Sequence, residues 1–118
     1  MDFTDHPNHV LLIENQVNCL TEPMFEAAIA RSKELDIYYS ENKKPFGPLH
    51  GLPISLKDTC NVKGVPTSLG YVGQVDRTAK RDSSVVEILK AAGAVIFTKT
   101  NLPTAIFVSM DIEISSNC

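Results

Sequence analysis

Purely apolar runs in this chain reach only four residues (glycine aside), as in Val10-Leu11-Leu12-Ile13. A membrane-spanning helix needs about 20 such residues, so no span is expected. Basic excess is lacking too: 11 Lys+Arg stand against 14 Asp+Glu, net charge −3, with the charges scattered. No basic stripe is offered to a phosphate backbone, which argues against nucleic acid as a partner. Cysteine is scarce, with Cys19, Cys60 and Cys118 forming an odd and widely spaced set. Such a set suits free thiols in a reducing compartment rather than a disulfide framework. The opening Met1-Asp2-Phe3-Thr4-Asp5 is acidic and lacks the apolar segment of a secretory leader. The expected location is therefore cytoplasmic.

What is present suffices for one domain at most. The chain has 118 residues, of which 43 % are hydrophobic, enough to build a core rather than remain disordered throughout. Thr21 has the chemistry of a helix N-cap, followed by Glu22 and Pro23 where a first turn tolerates them. Phe25, Ala28, Ile29, Ser32 and Leu35 then recur at helical spacing, predicting an amphipathic helix from about Glu22 to Tyr39. Two prolines and two glycines in Ser40–Gly51 predict a loop. A short strand follows at Pro53–Lys57, with a second extended piece near Asn61–Lys63. Gly64 to Lys80 is irregular, and a loop of that length is commonly functional or mobile.

Ser84 and Glu87 have capping-box spacing, and Val85, Ile88, Leu89 and Ala92 form an apolar stripe stopped by Gly93. Ala94–Thr98 predicts a buried strand ended by Lys99-Thr100-Asn101. Strand, helix and strand of these lengths predict an α/β fold containing a βαβ unit with right-handed crossover. Pro103–Met110 has the makings of another helix start, and Asp111–Cys118 carries no pattern.

Lys57 is the candidate site residue. On an alternating strand Ser55 and Lys57 share one face, and Ile54 and Leu56 the other. A lysine, with an ordinary pKa of about 10.4, acts as a base only where desolvation or nearby cations lower that value. The spacing alone allows either such a base or a solvated lysine paired with Asp58. His6 and His9 have H-x-x-H spacing beside Pro7, and His50 stands in a loop; no converging third ligand accompanies them, so no metal is expected. Cys60 has no histidine nearby in sequence to serve as its base and reads as a structural thiol. Gly64, Gly70 and Gly73 do not match a phosphate loop.

Several runs, in order, are more specific. Asn18-Cys19-Leu20-Thr21-Glu22, Gly47-Pro48-Leu49-His50-Gly51-Leu52-Pro53-Ile54-Ser55-Leu56-Lys57-Asp58 and Asn61-Val62-Lys63-Gly64 resemble the amidase signature family. Thr67-Ser68-Leu69-Gly70-Tyr71-Val72-Gly73 is similar to its acetamidase-like branch. Asp82-Ser83, Gly93-Ala94-Val95 and Lys99-Thr100-Asn101-Leu102-Pro103 continue the likeness, which covers about residues 18–103 and leaves 104–118 divergent.

The resemblance implies a large mixed sheet between helix layers, of which residues 1–118 form an N-terminal portion: a βαβ unit with a preceding helix. It implies hydrolysis of a small carboxylic amide by a Ser-Ser-Lys triad, with Lys57 as the lysine and no metal or organic cofactor. In that mechanism a neutral lysine hydrogen-bonds a bridging serine, which takes the proton of a nucleophilic serine. The Gly/Ser-rich segment that carries both serines in the family is not found in these 118 residues. The chain alone is therefore expected to be inactive. The alternative is a non-catalytic interaction module, or half of a split amidase, that associates with a protein partner supplying the rest. Tyr71 and the Gly64–Lys80 loop either border the acyl pocket or form ordinary surface.

Overall fold

A computed structural model describes residues 18–106. The expectations for His6, His9, Cys118, the N-terminal 17 residues and the tail beyond 106 lie outside that range. Five elements organise the rest: β1 (Leu20–Pro23), α1 (Phe25–Asn42), β2 (Pro53–Lys57), α2 (Ser84–Ala91) and β3 (Val95–Thr100). The strands form a mixed sheet in the order β1-β3-β2, with β3 parallel to β2 and antiparallel to β1. The architecture is α/β, as expected, and β2–α2–β3 supplies the parallel pair joined through a helix. Among the described residues no helix is long and apolar enough to cross a membrane.

β3 is buried along nearly its whole length because both faces are covered. On one side Ala28 and Leu35 of α1 pack on Val95, with Phe97 alongside. Phe25 stacks on Phe97 at 6.5 Å between ring centroids. On the other side Val86 of α2 joins Leu56, Val62 and Ile96, with Leu89 and Cys60 against them. Successive β3 side chains thus feed opposite clusters, which is why a central strand reads as one apolar run.

The helix expected from Glu22 to Tyr39 begins instead at Phe25 and ends at Asn42. Thr21, Glu22 and Pro23 belong to β1, where Glu22 pairs with Lys99 and Pro23 with Thr98. The Met24 N–H also donates to the Phe97 carbonyl, at 2.8 Å. The sheet claims the backbone that the local cap signal assigned to a helix; proline is tolerated there because β1 lies at the edge of the sheet among the described residues. The stripe itself is as expected, with Ala28 and Leu35 buried and Phe25, Ile29 and Ser32 half-buried.

The stripe expected for α2 requires correction. Val86 is fully buried and Leu89 half-buried, whereas Val85 and Ile88 are 48 % and 67 % exposed. Val86 and Leu89, three apart, make the face that meets the sheet, and Val85 and Ile88 are turned from it. Nor does Ser84 form a capping box: Ser83 is the cap residue, and its side chain makes no capping bond. At the other end the stop is as expected. The Gly93 N–H donates to Lys90 O and the Ala94 N–H to Leu89 O, with Gly93 at φ 93°, which is a Schellman ending.

β2 has the expected bounds. β3 runs on through Lys99 and Thr100 rather than stopping at Thr98, because Leu56 and Lys57 of β2 pair with those two residues. The extended piece near Asn61–Lys63 reduces to an isolated bridge between Lys63 and Ala79. The following loop turns back on itself, with Pro66 bridged to Thr78 and a single 3₁₀ turn at Val72–Gln74. The start anticipated at Pro103 amounts, within the described residues, to a 3₁₀ turn at Thr104–Ile106.

Candidate functional site

β2 places Lys57 as its last residue, at the end where the parallel pair with β3 finishes. The alternation holds: Ser55 and Lys57 are exposed, Leu56 is buried and Ile54 half-buried. Lys57 makes no ion pair among the described residues. Asp58, named as its partner in the solvated reading, lies elsewhere. It is only 2 % exposed, and its Oδ1 sits 2.7 Å from Nζ of Lys99, which is fully buried.

This pair is densely hydrogen-bonded. The Lys99 ammonium has three donors, and it finds three acceptors: Asp58, the Pro66 carbonyl at 2.7 Å and Thr67 Oγ1 at 2.9 Å. The second oxygen of Asp58 accepts from the Ser68 N–H at 3.1 Å, Ser68 Oγ–H at 3.0 Å and the Leu69 N–H at 2.9 Å. Four consecutive loop residues are therefore bound to one buried ion pair. Glu22 of β1 stands nearby. Burial pushes its carboxyl above the ordinary value, Lys99 pulls it down, and Asp58 adds to the rise.

The sequence reading did not find this cluster. A signal existed in Lys99, which follows four residues of a buried-strand pattern and would need a carboxylate partner if the strand ran on. Its partner lies far away in sequence, so only the sheet register joins them.

The other candidates are placed as follows. Cys60 packs against the Leu56–Val86 cluster, with its N–H donating to the Lys57 carbonyl. His50 uses Nδ1 to accept the Phe46 N–H at 3.1 Å, which closes the loop before β2. Tyr71 is 42 % exposed and opens the 3₁₀ turn. A cleft of about 580 Å³ runs beneath the Gly64–Lys80 loop, lined by Asn61, Thr67, Gln74, Arg77 and Arg81 among others. Neither Lys57 nor Tyr71 lines it, so this cleft is not where the candidate lysine stands.

Comparison with known proteins places this geometry in context. The family described as Amidase matches residues 9–111. An amidase of Gibberella moniliformis, Amidase 1, is 48 % identical over 91 residues, covering 77 % of this chain and 18 % of the relative. An acetamidase of Emericella nidulans is 44 % identical over 97 residues, covering 82 % and 18 %. Among solved structures, fatty acid amide hydrolase superposes with TM-score 0.73 at 34 % identity, over 76 % of this chain and 16 % of that one. The chain thus spans less than a fifth of the length of the curated relatives it matches.

Proposed function

This chain belongs to the amidase family, and from that premise we propose that Lys57 is the base in hydrolysis of a small carboxylic amide. The observation that carries the reading is the separation of Lys57 from its neighbour: Lys57 is exposed at the strand end, while Asp58 is turned away and bound to Lys99. A lysine whose only adjacent carboxylate is already taken is free to serve another group. Lys99, with all three donors occupied, is not.

In this reading the Lys57 amine accepts a proton through a bridging serine from a nucleophilic serine. The serine oxygen bonds to the amide carbon, and the C–N bond breaks as the nitrogen takes a proton and leaves as ammonia or an amine. Water then releases the acid. Both serines, and the atoms that would desolvate Lys57, come from residues outside these 118, so the isolated chain gives no turnover. The chain serves as an N-terminal portion of an amidase domain in the cytoplasm. The acetamidase named among the relatives makes acetamide the first substrate to try. The deciding experiment is ammonia release by that acetamidase carrying this chain in place of its matching segment, with and without Lys57→Ala.

A second reading rests on a different observation. Val72 is 90 % exposed in the loop, Ile88 67 % on α2 and Ile37 58 % on α1, so apolar side chains stand open on both helix layers. In that reading the chain joins a polypeptide that supplies the rest of the domain. Light scattering that finds only a 12.9 kDa monomer, alone and with such a polypeptide, would count against it.

A further inference from the structure

Lys57 lies between two anchored neighbours. Leu56 is 5 % exposed in one apolar cluster, and Asp58 is 2 % exposed in the ion pair. The Asp58 N–H also donates to the Thr100 carbonyl at 3.0 Å, which carries the β2–β3 ladder one residue beyond Lys57. The direction in which Lys57 leaves the backbone is therefore set from both sides.

The same pair holds the loop. Leu69 and Gly70 are both left-handed, at φ 53° and 74°, and Leu69 has no glycine's freedom to be so. Leu69 is kept there by its N–H bond to Asp58 and by its carbonyl, which accepts the Ala105 N–H at 2.9 Å. Gly70 is pressed against Thr104, so that a Cβ there would lie 2.8 Å from the Thr104 Cα. Backbone in a sparsely populated conformation persists where its surroundings over-determine it, and such places gather at functional sites. A buried ion pair is a weak source of stability compared with apolar side chains of like volume.

We propose that Asp58 and Lys99 form a positioning pair, which clamps the Pro66–Gly70 loop to the end of β2 and so fixes Lys57 relative to that loop. The inference rests on the reading of Lys57 as the catalytic lysine. Neither Asp58 nor Lys99 touches substrate; each acts through Lys57 and the loop backbone.

The test uses the 118-residue chain and hydrogen exchange followed by NMR, with the Val95 amide, bonded to Leu52 O at 2.8 Å, as the internal reference. In Lys99→Met, exchange at the Ser68 and Leu69 amides is expected to accelerate by at least about tenfold relative to Val95. The Lys57 Cε–Hε signal is expected to shift with it. Thr67→Val, which removes one acceptor without baring a charge, should give a smaller acceleration, about threefold. The double variant Asp58→Leu/Lys99→Met fills the site with apolar atoms; Val95 protection should hold while the loop amides stay fast.

Return of the loop amides and the Lys57 signal to their native values in the double variant would reduce the pair to packing. Loop exchange unchanged in Lys99→Met, or in Thr67→Val should Lys99→Met not fold, would also sink the proposal. Lys57→Met should leave these amides as they were, so the pair and the lysine are judged separately: ammonia release decides the one, amide exchange the other.

Discussion

The carboxylate of Asp58 meets the ammonium of Lys99 at 2.7 Å inside the fold, and Lys57, one residue before Asp58, points outward. A β-strand sends successive side chains to opposite faces, so adjacent residues of opposite charge need not pair. Here that separation gives one lysine to the core and leaves the other at the strand end. The parallel register sets the division, with Leu56 opposite Lys99 and Lys57 opposite Thr100.

Burial on α1 and α2 makes a paired prediction. Leu35 is 2 % exposed against Val95, and Leu35→Ala should cost about 2–5 kcal/mol through lost burial and the cavity left behind. Ile88, which the apolar stripe assigned to the core, is 67 % exposed, and Ile88→Ala should stay within about 0.5 kcal/mol. Urea midpoints of the two variants check both. An Ile88→Ala loss as large as that of Leu35→Ala would return α2 to the face expected from sequence.

The glycines just before β2 and β3 separate strain from crowding. Gly51 and Gly93 both lie in the left-handed region, at φ 74° and 93°. A Cβ at Gly51 meets nothing within 4 Å, whereas one at Gly93 comes 3.0 Å from the His50 Cα. Gly51→Ala should therefore show backbone strain alone, about 1 kcal/mol. Gly93→Ala should cost about 2–3 kcal/mol, since strain is joined by a backbone contact that cannot move aside. Equal shifts in urea midpoint would show that the His50 segment yields.

Two carboxylates should tilt stability against pH in opposite senses. Burial pushes Asp82 up, but the Lys63 N–H, and the hydrogen bond and charge of Lys90, outweigh it and hold the carboxyl below the ordinary 3.8. The Asp82–Lys90 contact is 2.6 Å. Its stabilisation is present above the unfolded value and lost as pH falls through the lower folded value, so Asp82→Asn should weaken the chain at neutral pH and not in strong acid. Glu22 is raised above 4.5 by burial, so the folded chain binds its proton more readily than the unfolded one. Stability then falls as pH rises through that window, and Glu22→Gln should stabilise at neutral pH and give nothing below the unfolded value. Urea midpoints near neutrality and at about pH 3 distinguish the two signs.

What the sequence made legible follows from how local each signal was. β2 was readable because Pro53–Lys57 alternates between a glycine-rich turn and Asp58, and the Gly93 stop because glycine at that position answers a local backbone need. β1 was not. Thr21, Glu22 and Pro23 spell a helix start, and only pairing with Thr98 and Lys99 makes them a strand. The α2 face was misjudged because Val85, Val86, Ile88 and Leu89 are all apolar, and packing alone chooses between the two possible stripes. Lys57 was singled out by strand alternation together with the family likeness. The Asp58–Lys99 pair escaped because nothing local marks two residues that only the sheet register brings together.

The lysine itself yields the last prediction. Lys57 is exposed and makes no ion pair among the described residues, so truncating it removes no core contact. Lys57→Ala in the 118-residue chain should leave the urea midpoint within about 0.5 kcal/mol of native stability. In the Emericella nidulans acetamidase carrying this chain in place of its matching segment, the same change should lower kcat for acetamide by about 10²–10⁴, the range for losing a general base. KM should move little, because the amine acts on the serine proton rather than holding the amide. Lys99→Ala, by contrast, should lower stability and activity together, since it leaves Asp58 buried without its partner. The chimera with Lys57 intact must first release ammonia, which shows that the transplanted segment is accepted. Activity surviving Lys57→Ala within about threefold would then remove Lys57 from the chemistry. A loss of the expected size at unchanged stability would place the base at the end of β2, where its neighbour's charge is already spoken for.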